Sequence, residues 1–310
     1  MKTQEYSEAS VDHPERCEDA ILVLISEGKA PVFAVIDGMG GQQHETNGVM
    51  ITGRDASQLV RDVLIEDLAH FPPNVDASPN GEAETKVIAA VQRAHNSVRR
   101  ELNNEDEYPA GNRVGAVLTV VVVCENGQRL LTVQVGDTRG YLYTEGELIQ
   151  LCPDEDNVEY FVRQELLSPE DGDRISTILN TYDGINEPSV QGTVTIAGNP
   201  YDLYIAWRWF MVGNTVLNIP AANIVINALG VHAESPVPLT SRIEIAPGDA
   251  LLLCSDGLYK NLSEAELLEG VAKGDESAKS LGEKALERSK SPGSNRRSTQ
   301  DDVSVIIAQW

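Results

Sequence analysis

From Val114 onward the chain consists of short apolar segments separated by tight turns, the pattern of consecutive β-strands. The segments VLTVVVVC and RLLTVQVG flank Asn126-Gly127, a dipeptide that favours the two-residue turn of a β-hairpin. Before this block, apolar residues recur at helical spacing over residues 56–68 and 87–102, which predicts two amphipathic helices. A helical region over residues 263–289 and a last strand follow the block. Because hairpins alternate with helix pairs, we expect an α+β fold built on antiparallel sheets.

The composition limits the partners and the compartment. Of 310 residues 41% are hydrophobic, and 48 acidic against 24 basic residues give a formal net charge of -24. Nucleic acids and anionic membranes need a positive footprint, so we expect neither as a partner. The start, MKTQEYSEAS, lacks the apolar core of a signal peptide, and the longest apolar stretch, Ala116–Cys124, is too short to span a bilayer. Four cysteines without close pairing indicate a reducing compartment, so we expect a cytoplasmic protein. We also expect it to be a monomer.

Acidic residues stand where the predicted strands begin or end. Each alone could serve a turn, because Asp and Gly favour the turns that terminate strands. Consecutive antiparallel strands bring alternate ends to the same side, however, so several of these acids could converge. Two carboxylates about 4 Å apart repel by roughly 4 kcal/mol at an effective dielectric near 20, so a converging set needs cations. The acids concerned are Glu18, Asp19, Asp37, Asp137, Asp256, Asp301 and Asp302.

The side-chain chemistry of these acids indicates which cations they would hold. No His or Cys is placed to make a soft site, so the ligand set would consist of oxygen atoms alone. Such a set selects hard cations, Mg²⁺ or Mn²⁺. A carboxylate that bridges two of them would make a binuclear centre, which activates water and clamps a phosphoryl group. Metal-assisted hydrolysis is therefore the predicted chemistry.

Five motifs resemble the metal-dependent protein phosphatases (PPM, type 2C). In chain order they are CEDAILV, DGMGG, GDTRGYL, LLLCSDGLYKNLSEAEL and DDVSVII, and they extend over nearly the whole chain. The resemblance implies one catalytic domain over residues 1–310, with a central antiparallel β-sandwich flanked by pairs of helices in four layers. It also implies two metal ions in a channel at one end, and water activated by them to hydrolyse phosphoserine or phosphothreonine in a phosphoprotein substrate.

The resemblance further assigns roles to individual residues of the second, fourth and fifth motifs. Asp37 would bridge both metal ions, and the Gly38 carbonyl would bind one of them. Asp256 and Asp301 would complete the shell of one ion. Asp37 and Asp256 are therefore the acids on which catalysis is expected to depend most.

The remaining motif residues are assigned in the same way, with one departure from the family pattern. Glu18 and Asp19 would hold the other ion, directly or through water, and Asp137 would help to form a third, weaker metal site. The family usually carries an Arg four residues before the first motif's acid, where this chain has Pro14. Arg16 could grip the substrate phosphate only if the loop is reshaped, and otherwise it is a surface residue. The missing Arg favours a second hypothesis, a catalytically weak pseudophosphatase that binds phosphoproteins or regulates a partner, whereas the retained acids favour the enzyme.

A segment at about residues 181–218 is enlarged relative to bacterial relatives, and we expect it to form a flap beside the metal channel. Thr193–Ile196 and residues 201–212 predict two strands around the turn AGNP. One face of the second strand would either cover ordinary core or, with Tyr204 and Arg208 opposite, shape a surface for a substrate or partner. By period two that face would carry Tyr201, Leu203, Ile205, Trp207, Trp209 and Met211.

Overall fold

Two five-stranded antiparallel sheets form the centre of the computed structural model. The first sheet contains, in spatial order, β12 (Leu239–Glu244), β7 (Arg129–Val135), β6 (Ala116–Cys124), β3 (Val32–Gly38) and β2 (Ala20–Leu24). The second contains β1 (Lys2–Glu8), β14 (Val303–Gln309), β13 (Ala250–Cys254), β8 (Arg139–Thr144) and β9 (Glu147–Gln150). The structure describes residues 1–39, 43–46, 48–103, 113–155, 157–181, 188–219, 227–290 and 299–310.

The two sheets pack face to face over one apolar layer. Phe33 and Val121 of the first sheet belong to the same buried cluster as Leu142, Leu253 and Ile306 of the second. All nine residues of β6 are buried, because helices cover its other face. A strand buried on both faces needs no polar alternation, which explains the unbroken apolar run in its sequence.

Helices cover the outer face of each sheet. On the first sheet lie α1 (Gly53–Leu68) and α2 (Glu82–Ser97), and Val98–Leu102 continues α2 as one π-helical turn. On the second lie α6 (Asp256–Tyr259), α7 (Glu264–Ala272) and α8 (Ser277–Ser289). The predicted four-layer α+β architecture is therefore confirmed. None of the helices in the described parts of the chain has the length and apolarity needed to cross a membrane.

The helix predicted near Ser263 begins at the capping box that the sequence indicates. The Ser263 N–H donates to Glu266 Oε2 at 2.8 Å, and the Glu266 N–H donates to Ser263 Oγ at 3.4 Å. These bonds satisfy backbone donors that the first helical turn leaves without partners. Sequence reasoning missed β1 and a small hairpin, β4 (His44–Thr46) with β5 (Val49–Ile51).

A third unit lies between β9 and β12 and has its own apolar cluster. It contains α3 (Asn157–Arg163), α4 (Pro169–Thr181), β10 (Thr193–Ile196), β11 (Asn199–Asp202) and α5 (Leu203–Val212). Residues 182–187 of the expected flap lie outside the described residues. The strand predicted at Thr193–Ile196 is confirmed.

The second strand predicted there, over residues 201–212, is wrong, because β11 ends at Asp202 and a helix follows. Asp202 Oδ1 accepts hydrogen bonds from the N–H groups of Tyr204 (3.0 Å) and Ile205 (3.2 Å), which caps the helix. The period-two face of alternating apolar residues therefore does not exist. The buried residues follow helical spacing instead: Leu203, Ala206, Trp207 and Phe210.

Candidate metal centre

The strand registers bring the predicted acids to one end of the sandwich. In the first sheet Ala20 pairs with Ile36, so one further step of the antiparallel register sets Asp19 opposite Asp37. In the second sheet Arg139 pairs with Cys254, so Asp137 and Asp256 follow at the same strand ends. Asp37 lies near the end of β3, and Asp256 follows the end of β13. Asp19 and Asp137 lie just before the first residues of β2 and β8.

The two acids before β14 have different tasks. The Asp302 carboxylate is buried and accepts backbone hydrogen bonds from Ser10 (2.6 Å) and Glu18 (2.5 Å). Asp301 interacts electrostatically with Asp256 and Lys260, so it belongs to the acid cluster. Asp301 is thus part of the candidate site, whereas Asp302 holds the loop that carries Glu18 in place.

The acids destabilise one another's charged forms. Burial raises the pKa of Asp37, and the negative charges of Asp19, Asp256, Asp301 and Asp137 raise it further. Burial and Asp256 raise the pKa of Asp301 to about 7 against the opposing charge of Lys260. Burial raises the pKa of Asp137 to about 6, with Lys260 opposing and Asp256 reinforcing the shift. The cluster therefore has an excess of negative charge that its own cations do not balance.

Two buried carboxylate oxygens in this cluster have no hydrogen-bond partner, namely Asp19 Oδ2 and Asp256 Oδ1. A buried acceptor without a donor is costly, and a cation would satisfy it. Within the described residues, no three His, Cys, Asp or Glu side chains already stand in the arrangement of a formed metal site. The donors are nevertheless all oxygen, negatively charged and unpaired at these two atoms, so they fit Mg²⁺ or Mn²⁺.

Gly38, the last residue of β3, is a glycine because two backbones approach it closely. A Cβ atom there would lie 2.3 Å from the Gly53 carbonyl oxygen and 2.5 Å from that of Glu18. Any side chain would push apart the start of α1 and the loop before β2. Packing thus accounts for this glycine. The last two residues of the motif, Gly40 and Gly41, lie outside the described residues.

Sequence reasoning missed the cations and aromatic ring beside Asp137. Lys260 Nζ forms an ion pair with Asp256 Oδ2 and lies 3.7 Å from Asp137 Oδ2. The Tyr259 hydroxyl donates to the Asp137 carbonyl oxygen at 3.0 Å, and the Arg139 guanidinium lies 3.6 Å from the Tyr259 ring centroid. The i,i+4 spacing of Asp256 and Lys260 is a signal from which the ion pair could have been predicted.

The family model described as Protein phosphatase 2C matches residues 10–291 of the chain. The chain belongs to the protein phosphatase 2C family. The four-layer sandwich is what the motif resemblance implied for this family.

Individual phosphatases of this family are similar to the chain at modest identity. The serine/threonine protein phosphatase PstP of Mycobacterium tuberculosis is 28% identical over 281 residues, which cover 90% of this chain and 40% of PstP. The chain thus corresponds to less than half the length of that relative. The serine/threonine phosphatase stp of Listeria innocua is 25% identical over 295 residues, 94% of this chain and 89% of the relative.

A solved structure shares the fold. The catalytic domain of PstP in complex with two manganese ions matches with a TM-score of 0.59 and 24% identity, over 99% of this chain and 97% of that one. It supports the fold described for this phosphatase 2C chain.

The first acidic motif of this phosphatase 2C chain forms an ion pair within itself. Arg16 Nε lies 3.0 Å from Glu18 Oε1, although the two atoms are not aligned as a hydrogen bond. Burial raises the pKa of Glu18, and the positive charge of Arg16 opposes that shift. Arg16 is therefore engaged with a predicted metal ligand, and Pro14 offers no charge in its place.

Proposed function

We propose that this chain hydrolyses phosphoserine and phosphothreonine in phosphoproteins, using two Mg²⁺ or Mn²⁺ ions held at the end of the sandwich. The observation that carries the proposal is the convergence of five acids: Asp19, Asp37, Asp137, Asp256 and Asp301. Burial and the neighbouring negative charges raise the pKa values of Asp19, Asp37, Asp137 and Asp301. Membership of the phosphatase 2C family and the two manganese ions in the PstP catalytic domain support it.

Particular residues would hold the two ions. Asp37 has acidic neighbours from both sheets, which suits a carboxylate shared between two cations. Asp256 and Asp301 would hold one ion with the Gly38 carbonyl. Asp19 would hold the other, with Glu18 close by.

When bound, such ions lower the pKa of coordinated water and neutralise the charge that develops on a transferring phosphoryl group. The chain's own residues fix where this happens. Asp256 directs Oδ2 towards Lys260 and leaves Oδ1 for a cation. Asp302 holds the backbone of Glu18, so the neighbouring Asp19 is oriented before any ion binds. This preorganisation avoids a loop-ordering cost during the reaction.

Hydrolysis of an aryl phosphate tests the proposal. Wild-type protein should release the aryl alcohol with Mn²⁺ and should stop when a chelator is added. Asp37→Asn should lower the rate by at least about 100-fold, the scale expected when a central charge-stabilising group is lost. The matched control is Asp62→Asn, at a side chain on α1 that is 62% exposed, and it should keep the wild-type rate. Absence of metal-dependent turnover in the wild type would rule out the enzyme.

A second candidate function is a catalytically weak phosphoprotein-binding or regulatory module. The Arg16–Glu18 ion pair favours it, because a guanidinium engaged with a carboxylate is not free to grip phosphate. The same assay separates the two candidates if binding of a phosphothreonine peptide is measured alongside turnover. A binding module should retain the peptide in Mn²⁺ without releasing phosphate.

We also propose that the unit containing α3, α4, β10, β11 and α5 forms a flap beside the metal centre. Its support is a junction at the buried Glu155, whose carboxylate accepts from the Gly136 N–H (2.9 Å), Asn227 Nδ2 (2.8 Å) and Arg163 Nη1 (2.7 Å). Arg163 belongs to α3, and Gly136 directly precedes Asp137. The base of the flap is therefore held next to an acid of the cluster.

A further inference from the structure

Lys260, the residue at the C-terminal cap of α6, brings a positive charge into the acid cluster. Its Nζ atom forms an ion pair with Asp256 Oδ2 and lies 3.7 Å from Asp137 Oδ2, so one ammonium contacts carboxylates from the ends of two neighbouring strands. One turn of helix separates Lys260 from Asp256, which fixes the side chain on the same face.

Asp256 divides its two oxygens between different environments. Oδ2 contacts Lys260, while Oδ1 is buried and has no hydrogen-bond partner. The lysine therefore occupies the Asp137 side of Asp256 and leaves the other oxygen for a cation. A divalent ion approaching Asp137 from that side would meet an ammonium of like charge.

The other groups around Asp137 do not compete for this position. Arg139 is committed to Asp154, with hydrogen bonds of 2.8 Å from Nε and 2.5 Å from Nη2. The Tyr259 hydroxyl donates to the Asp137 carbonyl oxygen at 3.0 Å and lies 3.5 Å from Asp137 Oδ2, but it brings no positive charge to that carboxylate. Among the residues that the structure describes, Lys260 is the basic residue within ion-pair distance of the Asp137 carboxylate.

We propose that the Lys260 ammonium takes the place of a third metal ion beside Asp137, so that this centre works with two ions. The inference rests on the proposed function, because it presumes that the remaining acids bind two. Lys260 is thus a positioning residue that sets the metal stoichiometry and the orientation of Asp256.

Counting bound Mn²⁺ by equilibrium dialysis tests the inference without an activity measurement. Wild type should saturate at two equivalents. Lys260→Asp, which exchanges the ammonium for an oxygen ligand, and Lys260→Gln, which removes the charge, should each take up a third equivalent. Adding Asp137→Asn to Lys260→Asp should abolish that third equivalent. Melting curves in chelator establish that each variant is folded before dialysis.

Lys29→Asp is the matched control, since it makes the same charge change at an exposed lysine before β3. Lys29 precedes the first residue of that strand, Val32, and Asp37 lies near the other end of the strand, about 16 Å from Val32 at about 3.3 Å per residue. The control should saturate at two equivalents. A third equivalent in the wild type, or two equivalents in both folded Lys260 variants, would overturn the inference. Fewer than two in the wild type would instead overturn the proposed function, and the inference would fall with it.

Discussion

The Asp302 carboxylate accepts a hydrogen bond of 2.5 Å from the backbone N–H of Glu18, which lies 284 positions earlier in the chain. Its other oxygen accepts from the Ser10 N–H at 2.6 Å, and Asp302 is only 3% exposed. Hydrogen bonds from backbone donors to a buried carboxylate are among the stronger ones in proteins. This aspartate therefore holds the loop that carries Glu18 and Asp19 against the loop before β14.

Replacing Asp302 should destabilise the protein even without metal. Asp302→Ala leaves two buried N–H groups without an acceptor, so we expect a loss of about 3 kcal/mol in the free energy of unfolding. Asp302→Asn retains one acceptor oxygen and should lose less. Urea unfolding in the presence of chelator measures both losses, with the exposed Asp62→Ala as control. A change below about 0.5 kcal/mol for Asp302→Ala would contradict the structural role, since that is the range of ordinary surface substitutions.

The metal-free protein should become less stable as the pH rises from about 4 to 7. The pKa values of Asp301 and Asp137 are raised to about 7 and about 6 in the folded chain, above the value of about 4 expected in the unfolded chain. Between those limits the folded state binds more protons than the unfolded state, so the stability that these protons provide is lost as the pH rises. The expected loss is several kcal/mol, because a difference of one pKa unit between the folded and unfolded chains corresponds to about 1.4 kcal/mol.

Thermal melting in chelator measures this dependence. Asp301→Asn should flatten it, because one of the titrating groups is removed. Saturating Mn²⁺ should reverse its sign, because protons and cations compete for the same oxygens. Stability that rises from pH 4 to pH 7 in chelator would contradict the mutual repulsion of the carboxylates at this site.

Arg16 offers a test of phosphate binding. If Arg16 turns from Glu18 to the substrate, Arg16→Gln should raise KM for a phosphopeptide by about tenfold, the loss of one charge-assisted contact, with little change in kcat. Arg61→Gln, at a partly exposed arginine of α1, is the control. If the KM and kcat of Arg16→Gln equal those of the wild type, Arg16 does not bind the substrate phosphate and serves only as the ion-pair partner of Glu18.

The proposed flap should affect protein substrates more than small ones. Val216 is 87% exposed and Val212 is 64% exposed, next to the end of α5. Val216→Asp should lower kcat/KM for a phosphoprotein several-fold, because one lost apolar contact at an interface is worth about 1–2 kcal/mol. Hydrolysis of an aryl phosphate should stay at the wild-type rate. Equal effects on both substrates, or on neither, would argue against recognition by this unit. The control is Ile25→Asp, at an apolar side chain that is 49% exposed and follows β2, outside the unit.

Much of the fold could be predicted from the sequence because burial dictates it locally. The strand Ala116–Cys124 is apolar throughout since both faces are covered, and Ser263 with Glu266 specifies a helix start through its own hydrogen bonds. The strand Lys2–Glu8 could not be found this way. It lies at a sheet edge with mostly polar, partly exposed residues, and its partner β14 is nearly 300 positions away.

The helix Leu203–Val212 shows where propensity misleads. Its Tyr, Ile and Trp residues favour strands, and apolar residues happen to alternate. The helix is decided by the Asp202 cap and by packing, since the ring centroids of Phe210 and Phe161 of α3 lie 5.2 Å apart. The acids of the site could be predicted from their motifs, whereas the contacts of Lys260 depend on how two strand ends meet in space.

Phosphate release from a phosphothreonine peptide, followed in one sample through removal and return of metal, tests most directly whether the acid cluster is a metal-dependent phosphatase centre. We expect release in Mn²⁺, no release after chelation, and recovery of the initial rate when Mn²⁺ is restored. Asp256→Asn, run in parallel, should release none at any stage. Release that continues unchanged in chelator, or a wild-type protein that releases no phosphate in Mn²⁺, would contradict the assignment.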